Sequence, residues 1–255
     1  MKKSKALFTA LLAGGLLLTG CSSAPKEESK ASSDVSSTAA DSTVMTYQEY
    51  KDAALDSEVT VEAYVQAKQS WWEDEGQGKA TLYTQNEDGA YFVYNANMTE
   101  DEYNKLEEGQ KVKITGFKSE WSGETEITDA TVTIEDGNWI APETDVTDLL
   151  ADESLIDHQN QKVVFKDMTV ETIGENGETW LYNYDGSGSE GDDLYFKVSK
   201  DGNDYTFTVE SYLTGADTDV YKQVKELKAG DTVDLSGYLY WYEGVNPHIT
   251  AVTVK

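Results

Sequence analysis

Residues 106–130 and 227–251 carry nearly the same pattern twice. Leu106-Glu107-Glu108-Gly109 is matched by Leu227-Lys228-Ala229-Gly230. Val112, Ile114, Gly116 and Phe117 are matched by Val233, Leu235, Gly237 and Tyr238, and Gly123 and Ala130 by Gly244 and Ala251. The offset holds at about 121 residues. A constant offset that carries glycines and alternating apolar positions together is the mark of a duplicated domain. The chain of 255 residues therefore reads as two similar small domains. The competing reading is one larger β-sandwich of about ten strands.

The periodicity inside each copy is that of strands. Val59, Val61, Ala63 and Val65 alternate with polar residues, which is the pattern of a half-buried strand. Segments 80–84 and 90–94 flank Asn86-Glu87-Asp88-Gly89, a hairpin signal. Thr46-x-x-Glu49 and Thr99-x-x-Glu102 are capping boxes that open short helices, the first over about 46–56. Strands follow near 110–118 and 125–134. A connector over 136–160 is expected to turn helical from Thr144 and Asp145 through Ile156. Strands are then expected near 162–172, 178–184, 193–198 and 204–209, a helix capped by Asp217 or Thr218, and strands near 231–240 and 247–254.

This order resembles the OB-fold, a five-stranded Greek-key barrel with a helix between its third and fourth strands. The resemblance covers about residues 58–255 and extends to exported bacterial proteins with tandem OB-folds. It implies an all-β chain with short helices. Two consecutive five-stranded OB-fold-like barrels would span 45–135 and 161–255.

The first residues give an address. Lys2, Lys3 and Lys5 precede an apolar run from Ala6 to Leu18, which is the pattern of an export signal. The run ends in Leu18-Thr19-Gly20-Cys21, which resembles the lipobox of bacterial lipoproteins. That resemblance implies cleavage after residue 20, palmitate-type acylation of Cys21, and a protein anchored to the cell membrane on its extracytoplasmic side. Residues 21–44, rich in Ser, Ala, Lys and acids, read as a flexible tether. Cys21 is the only cysteine, so no internal disulfide or cysteine metal cluster is open to the chain.

Charge narrows the partners. The formal net charge is -28, and all 20 basic residues are lysine. Arginine is the usual residue for bidentate recognition of phosphates and guanine edges. Nucleic acid is therefore not expected as a partner.

Motifs for catalysis are weak. Gly186-x-Gly188-x-x-Gly191 formally matches a phosphate-binding pattern, but a strand follows it, and Asp185, Glu190, Asp192 and Asp193 surround it. The same loop fails the calcium template, with Glu190 and Phe196 where glycine and a carboxylate belong. His158 and His248 lie in different elements, which does not suit zinc. No nucleophile elbow is present. The expectation is no enzyme activity, no cofactor and no metal.

The aromatics suggest binding. OB-folds meet ligands on strands two and three and on the loops after strands one and four. Those loops carry Trp71, Trp72 and Trp121 in the first copy, and Trp241 and Tyr242 in the second, with Trp180 near strand two. Planar rings beside carboxylates suit a glycan or peptide ligand. The alternative is an envelope assembly role, with these rings at a protein–protein interface.

Overall fold

The computed structural model describes residues 43–255. The expected leader, Cys21 and the expected tether as far as residue 42 lie outside the described residues. Among the described residues, no helix is long and apolar enough to cross a membrane.

The chain opens with α1 (Tyr47–Asp52), started by the expected capping box at Thr46. The first sheet holds β1 (Glu58–Lys68), β2 (Trp72–Asp74), β3 (Gln77–Gln85), β4 (Ala90–Asn97), β5 (Gln110–Trp121) and β6 (Glu124–Asn138), with α2 (Glu100–Lys105) between β4 and β5. Its order is β1-β5-β6-β4-β3, closed by a β3–β1 pairing, with β2 added beyond β3. Strands β4 and β6 run parallel, and the other pairs are antiparallel.

The second sheet repeats this arrangement. It holds β7 (Thr144–Asp145), β8 (Lys162–Glu171), β9 (Trp180–Tyr182), β10 (Leu194–Lys200), β11 (Asn203–Val209), β12 (Thr232–Tyr238) and β13 (His248–Val254), with α3 (Asp219–Glu226) between β11 and β12. Its order is β7-β8-β12-β13-β11-β10-β9, closed by β8–β10, and within the barrel β11–β13 is again the parallel pair. The protein is all-β with short helices, and it forms two consecutive five-stranded OB-fold-like Greek-key barrels.

The interiors follow the period of two. Val59, Val61, Ala63 and Val65 all point into the first core, with Leu82, Tyr91, Val93, Ile114 and Ile127. Phe165, Leu194, Phe196, Phe207, Leu235 and Ile249 fill the second. Each fully buried chain of this size contributes roughly 1.5–3 kcal/mol.

The repeated glycines have a shared geometric cause. A Cβ on Gly116 would lie 2.7 Å from the Thr128 carbonyl oxygen, and one on Gly237 would lie 2.1 Å from that of His248. At both places the fourth and fifth strands of a barrel slip register and approach too closely for a side chain. Gly109 and Gly230 follow their helices with φ of +84° and +91°, a conformation costly for any residue with a Cβ.

Two stretches differ from the sequence reading. Thr144 and Asp145 form β7, parallel to β8, rather than a helix start. The Asp145 carboxylate accepts from the backbone N–H and hydroxyl of Thr147, and the chain continues as 3-10 turns over Thr147–Leu149 and Glu153–His158. Residues 178–184 are not the barrel's second strand. Only Trp180–Tyr182 pair, as an edge on β10, and β10 itself takes the second place.

Lysines borrowed from strands close the first two helices. Lys118 on β5 is 7% exposed and donates to the carbonyls of Tyr50 (3.0 Å), Lys51 (2.8 Å) and Ala53 (2.8 Å). Lys68 on β1 donates to the carbonyls of Tyr103 (2.7 Å) and Leu106 (2.8 Å). Helix ends leave carbonyls without intrahelical partners, and an ammonium meets both their hydrogen-bonding need and their partial negative charge. Lys118→Met keeps the stem and removes the donors. It is expected to cost about 2–3 kcal/mol in a denaturant melt. A loss under about 0.5 kcal/mol would show that α1 needs no such cap.

Candidate functional site

The two barrels belong to one compact unit. Their joint is polar and specific. Glu124, fully buried at the start of β6, accepts from Asn160 Nδ2 (2.6 Å), Gln159 Nε2 (3.2 Å) and the backbone N–H of Trp241 (2.9 Å). Tyr238 donates its hydroxyl to the Gln66 carbonyl at 2.8 Å, and the backbone N–H of Lys162 donates to Gln85 Oε1 at 2.8 Å. Tyr83 and Phe92 of the first barrel pack on Tyr238 of the second, with ring centroids 4.7 Å apart for Tyr83 and Tyr238.

Beside this joint lies a cleft of about 560 Å³ with walls from both barrels. The alternation of strand side chains builds it. On β4, Tyr91 and Val93 face the core, so Phe92 and Tyr94 face out. On β10, Leu194 and Phe196 face in and Tyr195 faces out. On β11, Phe207 and Val209 face in, while Thr208 faces the cleft and Glu210 follows it there. The loop after β1 supplies Gln69 and Ser70, and β2 begins with Trp72 at the same wall. The loop after β12 supplies Tyr240, Tyr242 and Asn246, and His248 opens β13. These are the strand-two, strand-three and loop positions at which OB-folds bind.

The rings form a connected set. Phe92 meets Tyr240 edge-on at 5.1 Å, and Tyr240 stacks on His248 at 4.3 Å. Trp72, Tyr94 and Tyr242 remain 43%, 46% and 47% exposed at the mouth. Trp72 Nε1 donates to Asn95 Oδ1 at 3.4 Å.

Two carboxylates share the cleft. Asp193 Oδ1 accepts from the backbone N–H and hydroxyl of Ser211, at 2.8 and 2.7 Å. Glu210 accepts from the backbone N–H groups of Tyr212 (3.2 Å) and Leu213 (2.8 Å), and from Gln69 Nε2 of the first barrel (3.1 Å). Burial, followed by the charge of Asp193, pushes the Glu210 carboxyl up to about 7. Burial pushes His248 down to about 3, so its ring is neutral at physiological pH, and its Nδ1 lies 2.6 Å from the Tyr83 hydroxyl. No lysine is among the residues lining the cleft.

The sequence-derived candidates scatter. Trp72 and Tyr242 line the cleft. Trp71 instead packs against the first core and donates Nε1 to the Met98 carbonyl at 3.1 Å. Trp121 ends β5, 61% exposed and outside the cleft. Trp241 packs against the second core, close enough that a Cβ on Gly123 would meet its ring at 2.9 Å. Trp180 sits on the edge strand β9 and donates Nε1 to the Lys225 carbonyl. The acidic loop after β9 uses its carboxylates locally. Asp185 accepts from Ser187 N–H, Asp192 from Ser189 N–H, and Glu190 from Tyr182 and Lys225. Among the described residues, no group of three acidic or histidine side chains could hold a metal ion.

Sequence reasoning missed Phe92, Tyr94, Tyr195, Glu210, Tyr240 and His248. For Tyr94 and Tyr195 a signal existed, since both are aromatics at outward positions of otherwise alternating strands. Nothing in the sequence showed that the two strands would face one cleft.

No family model matches the chain, and no curated protein matches its sequence. Solved structures do. One is the p204 HINb domain, with a TM-score of 0.36 and 13% identity over 80% of this chain and 100% of that one. Another is a murine DNA-binding protein bound with double-stranded DNA, with a TM-score of 0.36 and 14% identity over 77% and 96%. A third is a replication protein A heterotrimer bound to single-stranded DNA, with a TM-score of 0.34 and 12% identity over 78% and 49%. These findings correct the sequence expectations of a glycan or peptide ligand and of no nucleic-acid partner. Solved chains matched across about four-fifths of this one were captured on DNA.

The buried Glu124 carboxyl makes the joint sensitive to pH. Burial pushes it up from an ordinary value of 4.5 to about 8. A raised value means that the folded state holds the proton more tightly than the unfolded chain. This stabilisation is fully present below pH 4.5 and is lost as pH rises through about 8. Glu124→Gln mimics the protonated form. Thermal melts across this range should show the wild-type Tm falling relative to that of the variant. Parallel curves would mean that the carboxyl does not titrate in the joint.

Proposed function

We propose that this chain is an exported, lipid-anchored protein that captures a small ligand in the cleft between its two barrels. The cleft carries the reading: about 560 Å³, walled by aromatic rings from both barrels, with a few fixed polar groups. Sites for small molecules have this size and this make-up of apolar walls with sparse, placed polar atoms. Their hydrogen bonds hold Glu210 and Asp193 in position before any ligand arrives, which lowers the ordering cost of binding.

The charged leader, apolar run and Cys21 support the anchored location. Acyl chains contribute about 0.8 kcal/mol per buried methylene, so more than one chain gives stable anchoring. Labelled palmitate should enter the wild-type protein in cells, whereas Cys21→Ala should be unlabelled. Label on the variant would end the lipoprotein reading.

A second reading has its own support. Rings on the strand-two and strand-three faces of OB-folds stack bases of single-stranded nucleic acid, at about 1–3 kcal/mol per base. Tyr94 and Tyr195 occupy those faces here.

The cleft itself is tested without knowing the ligand. A small-molecule library screened by ligand-observed NMR should yield hits that the Tyr94→Ala/Tyr240→Ala variant loses, with affinities down about tenfold or more. Hits that bind the variant equally well would move the site elsewhere.

A further inference from the structure

We infer that the cleft selects a small organic cation, a quaternary or protonated amine, seated among the rings with its charge toward Asp193 and Glu210. This rests on the cleft being the binding site, and it goes further by assigning the ligand's charge and surface.

Aromatic faces carry the negative part of the ring quadrupole, so several rings around one space favour a positive occupant. Trp72, Phe92, Tyr94, Tyr195, Tyr240 and Tyr242 supply that environment. Both fixed carboxylates add the same sign, and the lining has no ammonium or guanidinium to oppose them. His248, held neutral by burial, contributes a ring and no positive charge. An anion would meet two acids and ring faces, with no cationic partner. A bare metal ion would find rings where oxygen donors are needed, and no three-donor cluster exists among the described residues. The chemistry that fits is a charge carried beneath an apolar skin, as on methylated or alkylated nitrogen. Ser70, Asn95 and Asn246 lie in the same lining and can hydrogen-bond a hydroxyl or ether elsewhere on the molecule.

The position of Glu210 strengthens the assignment. Its carboxyl is held by Tyr212 and Leu213 of its own barrel and by Gln69 of the other. A buried acid facing a second acid, Asp193, with Tyr83, Tyr195 and Tyr240 around it, holds its negative charge at a cost. A cation seated in the cleft beside these acids offsets that cost.

The experiment compares isosteres on the full chain. Choline and 3,3-dimethylbutan-1-ol have the same shape and differ in charge. Titration calorimetry should give choline at least a tenfold tighter Kd. Glu210→Gln should weaken choline tenfold while leaving the neutral alcohol unchanged. Tyr94→Leu should weaken choline without altering the melting profile of the free protein. Tetramethylammonium and cadaverine extend the probe set. Equal binding of choline and the alcohol, with both lost in Tyr94→Leu, overturns the cation and leaves the cleft as the site. No binding of any of the three cations at about 10 mM, where even weak ligands raise Tm, also overturns it. An oligothymidylate that binds with loss in Tyr94→Leu, while the cations do not, replaces the cation with nucleic acid at the same rings.

Discussion

The rest of the structure depends on the burial of Glu124 between the barrels. The two barrels are separate sheets, and no strand of one pairs with a strand of the other. The joint is made instead by side chains and by backbone bonds between loops, and at its centre a carboxyl at the start of β6 gathers Asn160, Gln159 and the Trp241 backbone. Hydrogen bonds of this kind are directional, so they set orientation as well as adhesion. The cost is a carboxyl far from water, which keeps its proton up to about pH 8. An apolar patch of the same area would have held the barrels together without fixing their rotation. The cleft needs that rotation, because Gln69 must reach Glu210 across the joint.

Duplication explains why the cleft draws on different elements of each barrel. Each copy has the same two binding loops, but the joint uses them differently. The loop after β5 in the first barrel meets the second at the joint, where Ser122 accepts from Glu243 N–H and Gly123 from Gln159. Its counterpart after β12 has its later residues, Tyr240, Tyr242 and Asn246, turned to the cleft. The stretch after β1 lends Ser70 and Trp72 to the cleft, and the Ser70 N–H donates to the Tyr212 carbonyl of the other barrel at 2.9 Å. The corresponding stretch after β8 is longer, forms β9 and an acidic turn, and stays on its own barrel. Two equal folds thus give one asymmetric site.

Much of the fold was legible in the sequence because it is written in local patterns. The capping boxes at Thr46 and Thr99 start the first two helices, and Val59 to Val65 face inward at every second residue. Gly116 and Gly237 mark one bulge seen twice. The site was less legible because its residues converge only through the joint. Trp71 and Trp72 are neighbours with opposite fates, one closing a core and one facing the cleft, and adjacency alone does not say which is which. Glu210 and Asp193 are two acids among 48, and only burial distinguishes Glu210. The helical reading at Thr144 failed for a related reason. A capping-type Asp145 holds Thr147, but β8 offered its edge to Thr144 and Asp145 first.

The acidity of the chain and the acidity of the cleft act over different distances. A net charge of -28 spread over the whole surface raises the local concentration of cations near the protein and speeds their arrival. Salt screens that field beyond about 8 Å at physiological ionic strength, so it cannot choose among cations. Choice requires contact. Within the cleft, Asp193 and Glu210 act at short range among rings that displace water, where a unit charge interacts several times more strongly than in bulk. A hydrated inorganic ion keeps its water and gains little from aromatic faces, whereas an alkylated nitrogen sheds water cheaply and gains from both. The overall charge brings cations near, and the rings decide which of them stay.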